Sequence, residues 1–153
     1  MTRFVWAEKA HVQEIWALVQ STIRAVYPRC YPMEAVEFFC RHHSLERIAE
    51  DVESGGVGVL THNGQLVGTG ACRAEHIARV YVLPQAQGRG YGSLLMERME
   101  REIAQTYAAA ELDASLPALR FYANRGYAVV RRETIAIESG KMLAYEVMRK
   151  RLT

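Results

Sequence analysis

From Gln87 to Ser93 the chain reads Gln-Gly-Arg-Gly-Tyr-Gly-Ser, directly after the apolar run Val80-Tyr81-Val82-Leu83-Pro84 and directly before the helical pattern Leu94-Leu95-Met96-Glu97-Arg98-Met99. A strand that turns through glycines into a helix makes an anion site. The first N–H groups of a helix have no partner inside it, and the macrodipole places roughly half a positive charge behind them. Glycine at 88, 90 and 92 removes the Cβ atoms that would keep a phosphate's oxygens from the backbone and permits positive φ. Other phosphate loops fit poorly. After Gly88 and Gly90 the third position of G-x-G-x-x-G is Ser93, with no acidic residue ending a second strand about twenty residues on. No Gly-Lys-Ser or Gly-Lys-Thr is present to make a Walker loop.

The elements that must hold this loop are legible from periodicity. Phe4-Val5-Trp6 reads as a short strand, and Val12, Ile15, Trp16, Val19, Ile23 and Val26 recur at helical spacing until Pro28. Pro32 suits the first turn of a second helix with Val36, Phe39 and Cys40 on one side, and Ser44 caps a third with Leu45, Ile48 and Val52 inward. Strands 57–62 and 65–72 flank Asn63-Gly64, whose tolerance of positive φ predicts a type I′ hairpin turn. A strand over 76–82 enters the glycine loop, and the helix beyond it turns Met96, Met99, Ile103 and Tyr107 inward. A strand at 109–114, a short helix over 117–124 closed by Gly126, and strands at 127–137 and 142–150 complete the chain. The order is that of an α/β fold with a mixed sheet.

With 153 residues, half of them hydrophobic, the chain can bury one substantial core. The net charge of +2 and the scattered basic residues lack the broad cationic face of a nucleic-acid binder. Cys30, Cys40 and Cys72 are odd in number and contain no C-x-x-C pair, which suits a reducing compartment. No stretch has the length of a membrane span or the apolar core of a leader, so a soluble, cytoplasmic protein is expected.

Gln87-x-x-Gly90-x-Gly92 behind Val82-x-Pro84 resembles the acyl-CoA motif of the GNAT superfamily of N-acyltransferases. Further on, Ala118-x-x-Phe121-Tyr122-Ala123-Asn124-Arg125-Gly126-Tyr127 resembles that family's second hallmark, Ala-x-x-Phe-Tyr-x-x-x-Gly-Phe, with tyrosine at its end. The element order is also that of the GNAT fold. The resemblance therefore implies one domain over residues 1–153, with a central mixed, mostly antiparallel sheet, flanking helices and a V-shaped cofactor cleft. It implies an acetyl-CoA-dependent N-acetyltransferase that lets a primary amine attack the thioester directly, without a metal. An acyl-CoA-binding sensor on the same fold is the alternative. The expected partner is a small-molecule or peptide amine, with neither nucleic acid nor membrane, and a homodimer is compatible with habits of similar proteins.

Acyl transfer must hold the donor, deprotonate an ammonium, stabilise an oxyanion and protonate a leaving thiolate. By resemblance, the backbone from Gly88 through Arg89, Gly90, Tyr91 and Gly92 to Ser93 cradles the pyrophosphate, with Gln87 bracing the loop. Tyr81 and Val82 flank the pantetheine arm. One of their amides polarises the carbonyl, an effect worth roughly 2.7–4 kcal/mol in the transition state. Ser115 is both a helix cap and a candidate cofactor contact. Tyr122 occupies the position of the family's general acid. Glu75 and His76 stand where relatives place a base. On a regular strand His76 shares the face of Ala78, Val80 and Val82, and Glu75 the opposite one. Tyr27, Arg29 and Tyr31, between the first two helices, are candidates for the acceptor wall. His42 and His43, about 100° apart on a helix, make a poor metal pair.

Overall fold

The computed structural model describes residues 1–152. Strand β1 (Thr2–Trp6) leads to helices α1 (Val12–Val26), α2 (Met33–His42) and α3 (Leu45–Glu53), then strands β2 (Val57–His62), β3 (Gln65–Arg73) and β4 (His76–Val82). Helix α4 (Tyr91–Ala104), strand β5 (Ala109–Ala114), helix α5 (Leu119–Asn124) and strands β6 (Ala128–Ala136) and β7 (Met142–Arg151) complete the order. One seven-stranded sheet results, in the order β1-β2-β3-β4-β5-β7-β6. All neighbours are antiparallel except β4 and β5.

Each face of the sheet has its own layer. Val12, Ile15, Val19 and Ile23 of α1 pack with Val36 of α2, Ile48 of α3 and the sheet residues Val57, Val59, Ala71 and Tyr81. On the other face Met96, Met99 and Ile103 of α4 meet Ile77, Ala110, Leu112 and Tyr122. Their spacing is the three-and-four alternation that makes one helical face apolar. Ser44 caps α3 through its side-chain oxygen, which accepts from the Arg47 N–H. At the β2–β3 turn Asn63 and Gly64 have φ of 52° and 82°, the geometry a type I′ turn requires.

Two departures from regularity shape the middle of the sheet. Parallel β4 and β5 are paired only at His76 with Glu111 and Ile77 with Leu112, and beyond these positions they part. In β4 the register against β3 slips between Thr69 and Ala71, because Arg79 is an extra residue at φ 53°. This bulge overturns the regular-strand expectation. Ile77, Val80 and Val82 all belong to clusters on the α4 face, whereas Tyr81 joins the α1 face, so the alternation changes phase between 77 and 80.

The α4 layer is locked to β7 and the segment after α5 by Glu100. Its carboxylate accepts from Tyr127 Oη at 2.9 Å and Lys150 Nζ at 3.1 Å and pairs with Arg125 at 3.4 Å, with Glu100 only 12% exposed. Replacing Glu100 by Ala would leave two shielded cations without their anion and should cost about 3 kcal/mol. Urea unfolding measures this, and a loss below about 1 kcal/mol would mean that both cations find water instead.

Candidate active site

The parting strands open a cleft of about 600 Å³ that runs from the glycine loop, through the gap between β4 and β5, to a wall formed by α2, β6 and β7. Backbone polarity in the gap is set by ladder alternation. The Leu83 N–H is used by the Val67 carbonyl at 2.9 Å, so Tyr81, two residues earlier, turns its amide to β3 as well. The N–H groups of Val80 and Val82 therefore belong to the side facing β5, where the ladder has ended. They are donors awaiting an acceptor.

At the wide end, Gly88 and Gly90 have φ of 80° and 84°, and a Cβ built on either would meet nothing within 4 Å. Glycine is needed there for conformation, and the space beside it is an open cradle that a side chain would fill. Gly92 differs: its Cβ would press to 3.1 Å on the Phe121 ring, so glycine lets α4 approach α5. Gly90 is the N-cap of α4. The first turn of α4 holds no acidic side chain, and its free N–H groups stay available to an anion. Gln87 donates through Nε2 to the Val82 carbonyl at 3.0 Å, tying the loop to the end of β4.

A chain of hydroxyls spans the V. Tyr27 Oη donates to Ser115 Oγ at 3.2 Å and lies 3.0 Å from Tyr81 Oη, which therefore donates to it. Tyr81 stands on β4 and Ser115 comes directly after β5, so α1 props the two strands apart through Tyr27. Burial holds both phenols protonated.

Tyr122 lines the cleft, and its hydroxyl has no protein partner among the described residues. The only sealed side-chain polar atom without a partner among them is Arg125 Nε, so the Tyr122 hydroxyl opens to the cleft. Burial raises its pKa well above the ordinary 10, with the neighbouring Tyr27 adding to the effect.

At the far end His76 Nε2 stands 3.8 Å from Asp113 Oδ2, across the closed apex of the V. Burial raises the Asp113 pKa; His76 opposes this, Glu133 and Glu111 reinforce it, and Arg131 lowers it. Tyr145 also lines the wall and donates to Glu133 at 2.9 Å. Facing them, His43 terminates α2. Its carbonyl accepts from Gln20 Nε2 at 2.9 Å, and its Nδ1 accepts from Arg79 Nε at 3.1 Å. Arg79, with a side chain 7% exposed, is itself held by Asp51 at 2.8 Å. The bulge thus turns a strand residue into the support of a cleft histidine.

Of the residues expected from sequence, Tyr27, His76, Tyr81, Val82, Gln87, Gly88, Gly90, Tyr91, Gly92, Ser93, Ser115 and Tyr122 line this cleft. Glu75, Arg29, Tyr31 and Arg89 are not among its lining. Glu75 lies on the β3–β4 turn with its carbonyl accepting from Glu111 N–H, and Arg29 and Arg89 are exposed. Tyr31 is buried and its hydroxyl accepts from the Leu116 N–H at 2.7 Å. Sequence reasoning missed Phe38, His42, His43, Arg79 and Asp113 in the cleft wall. The signal for Phe38 and His42 was their i, i+4 spacing on α2. Nothing local marked Arg79, whose position depends on the bulge.

The family model of the acetyltransferase (GNAT) domain matches residues 28–145, which include both arms of the V, the glycine loop and α5. The chain belongs to the GNAT acetyltransferase family. No curated protein sequence matches it significantly. Among solved structures, this GNAT acetyltransferase is similar to the GCN5-related N-acetyltransferase from Rhodopseudomonas palustris at 25% identity and a TM-score of 0.88, over 99% of this chain and 94% of that one. It shares its fold with the PaiA N-acetyltransferase of Thermoplasma acidophilum, solved with coenzyme A, at 14% identity and a TM-score of 0.77, over 99% of each chain. It does so too with yncA of Salmonella typhimurium, solved with acetyl-CoA, at 17% identity and a TM-score of 0.76, over 100% of this chain and 95% of that one. Among the described residues no helix is long and apolar enough to cross a membrane, and no cluster of three or more His, Cys, Asp or Glu could hold a metal ion.

Burial, Arg79, His42 and Arg47 together depress the pKa of His43 well below 6.5. The unfolded chain takes that proton near 6.5 and the folded one does not, so stability falls as pH drops below 6.5, by up to about 1.4 kcal/mol per pH unit. His43→Leu should flatten the dependence of the urea midpoint between about pH 7 and about pH 5. Equal slopes in variant and wild type would contradict a neutral His43.

Proposed function

We propose that this GNAT acetyltransferase, working as one domain, moves the acetyl group of acetyl-CoA to the primary amine of a small molecule or peptide by direct attack on the thioester. The single observation that carries the reading is the parted β4–β5 pair, with unpaired Val80 and Val82 amides inside it, the open glycine cradle at one end and the Tyr122 hydroxyl in its wall. With His76 as the base, these groups meet the four needs of the reaction.

The free N–H groups of α4 and its glycine loop bind the pyrophosphate, and Gln87 keeps the loop at the end of β4. The Val80 and Val82 amides bind the pantetheine arm, and one of them donates to the thioester oxygen as it gains charge. Backbone supplies this donor, so side-chain substitution does not remove it. His76, with Asp113 beside it, takes the proton from the attacking ammonium, directly or through water. The amine nitrogen then bonds to the carbonyl carbon, the tetrahedral intermediate collapses, and the carbon–sulfur bond breaks. Tyr122 gives its proton to the departing thiolate, and the second proton shed by the nitrogen as the amide forms returns to the Tyr122 oxygen. The burial that keeps Tyr122 protonated at neutral pH also strips water from the thiolate and raises its proton affinity.

Tyr122→Phe keeps the ring and removes the proton. It should lower kcat by about 100-fold or more, with acetyl-CoA affinity unchanged, when thiol release and calorimetric binding are measured side by side. Unaltered turnover would remove Tyr122 from the chemistry. Gly90→Glu, which places a carboxylate in the cradle and strains a positive φ, should abolish acetyl-CoA binding, and retained affinity would move the phosphate site elsewhere.

A further inference from the structure

Two histidines at the acceptor end have had their tautomers chosen by arginine. His43 Nδ1 accepts from Arg79 Nε at 3.1 Å, and His42 Nδ1 lies 3.0 Å from Arg47 Nη1. A guanidinium has donors and no acceptor, so each Nδ1 must carry the lone pair. A neutral imidazole then carries its proton on Nε2, and both rings present an N–H donor. Neither Nε2 has a protein partner among the described residues, and neither is sealed from solvent, while both rings line the cleft. His43 is fixed from every side: Gln20 holds its carbonyl, Arg79 its ring nitrogen, and the Tyr81 ring packs edge-on at 5.7 Å. A donor this well held calls for an oxygen.

The opposite wall has the reverse polarity. It presents the Asp113 carboxylate, 3.8 Å from His76 and without an arginine partner among the described residues, whereas Glu133 and Glu111 are each paired with Arg131, at 2.8 and 3.6 Å. Apolar side chains, Phe38, Ile135 and Leu143, line the same cleft, and the Phe38 ring stacks on His42 at 5.6 Å. A carboxylate for an ammonium, a donor wall for an anion and apolar side chains in the same cleft match one small molecule with both charges.

We infer that the acceptor is an amine that also carries a carboxylate, and that the Nε2–H groups of His43 and His42 read that carboxylate. The inference rests on the acetyl-transfer reading and adds the substrate class. His43 determines specificity, and Arg79 is a positioning residue that acts through it.

Thiol release from acetyl-CoA is followed with the common α-amino acids, each beside its α-amide and its decarboxylated amine. The acids should be the better acceptors. His43→Leu should raise KM for the best acid roughly 10- to 100-fold with kcat little changed, and should leave the matching decarboxylated amine unaffected. His43→Gln, which keeps a donor near Nε2, should restore part of the loss. A second readout needs no turnover: nitrogen-15 spectra of the imidazoles should show His43 as the Nε2–H tautomer and should move on adding the acid to the CoA-loaded enzyme, and not on adding its amide. Amides or decarboxylated amines serving as well as acids, the other tautomer, or acetylation of no panel member would each overturn the inference. Calorimetry with acetyl-CoA alone keeps the two readings apart, because donor binding without acid preference sinks this inference only, and absent donor binding sinks the reading beneath it.

Discussion

Two parallel strands that stop pairing inside a sheet leave a row of amide donors and acceptors with nothing to bond, and the rest of this molecule is arranged around that row. β4 and β5 share two residue pairs and then diverge. Unpaired backbone groups in a nonaqueous interior are costly, so such a gap persists only when water or a ligand can enter and other contacts keep it open. Here the contacts are hydroxyls, Tyr81 to Tyr27 to Ser115, with Tyr27 brought in at the end of α1. The apex is closed by the short ladder itself and by the carbonyl of Glu75, which accepts from Glu111. Opening the gap therefore couples the first helix to the sheet's middle.

The bulge at Arg79 is the second constraint, and it connects the glycine-loop end of the cleft with its far end. An inserted residue in β4 shifts the alternation, sending Val80 and Val82 to the α4 layer and Tyr81 to the α1 layer. It also carries a guanidinium, nearly out of water, into contact with Asp51 and His43. A buried cation of this kind needs both a counter-charge and hydrogen-bond acceptors. It has them from two different helices, so α2 and α3 are set against β4 by one side chain. The direction of the free β4 amides and the electrostatics of the far end of the cleft thus descend from a single backbone irregularity.

Most of the fold was legible in the sequence because its signals are local. The spacing of Val12, Ile15, Val19 and Ile23 marks a helix whatever surrounds it, and Asn63-Gly64 marks a hairpin. The glycine loop was legible for the same reason, since the need for positive φ is written in residue type. What escaped was set by tertiary packing. The bulge depends on the register between β3 and β4, and without it Arg79 reads as an exposed strand residue and His76 appears to share a face with Val80. Tyr31, in an aromatic segment between helices, suggests a substrate wall, yet its hydroxyl satisfies the Leu116 amide in the interior. The walls at the far end of the cleft come from α2, β5, β6 and β7, far apart in the chain, so no short motif could announce them.

Amide hydrogen exchange, resolved residue by residue with and without acetyl-CoA, tests the central claim most directly. If the gap between β4 and β5 receives the donor's arm, the Val80 and Val82 amides become protected on binding, together with those at the start of α4, while Tyr81, already bonded to β3, changes little. Binding that leaves Val80 and Val82 exchanging as fast as in the free protein would contradict the account.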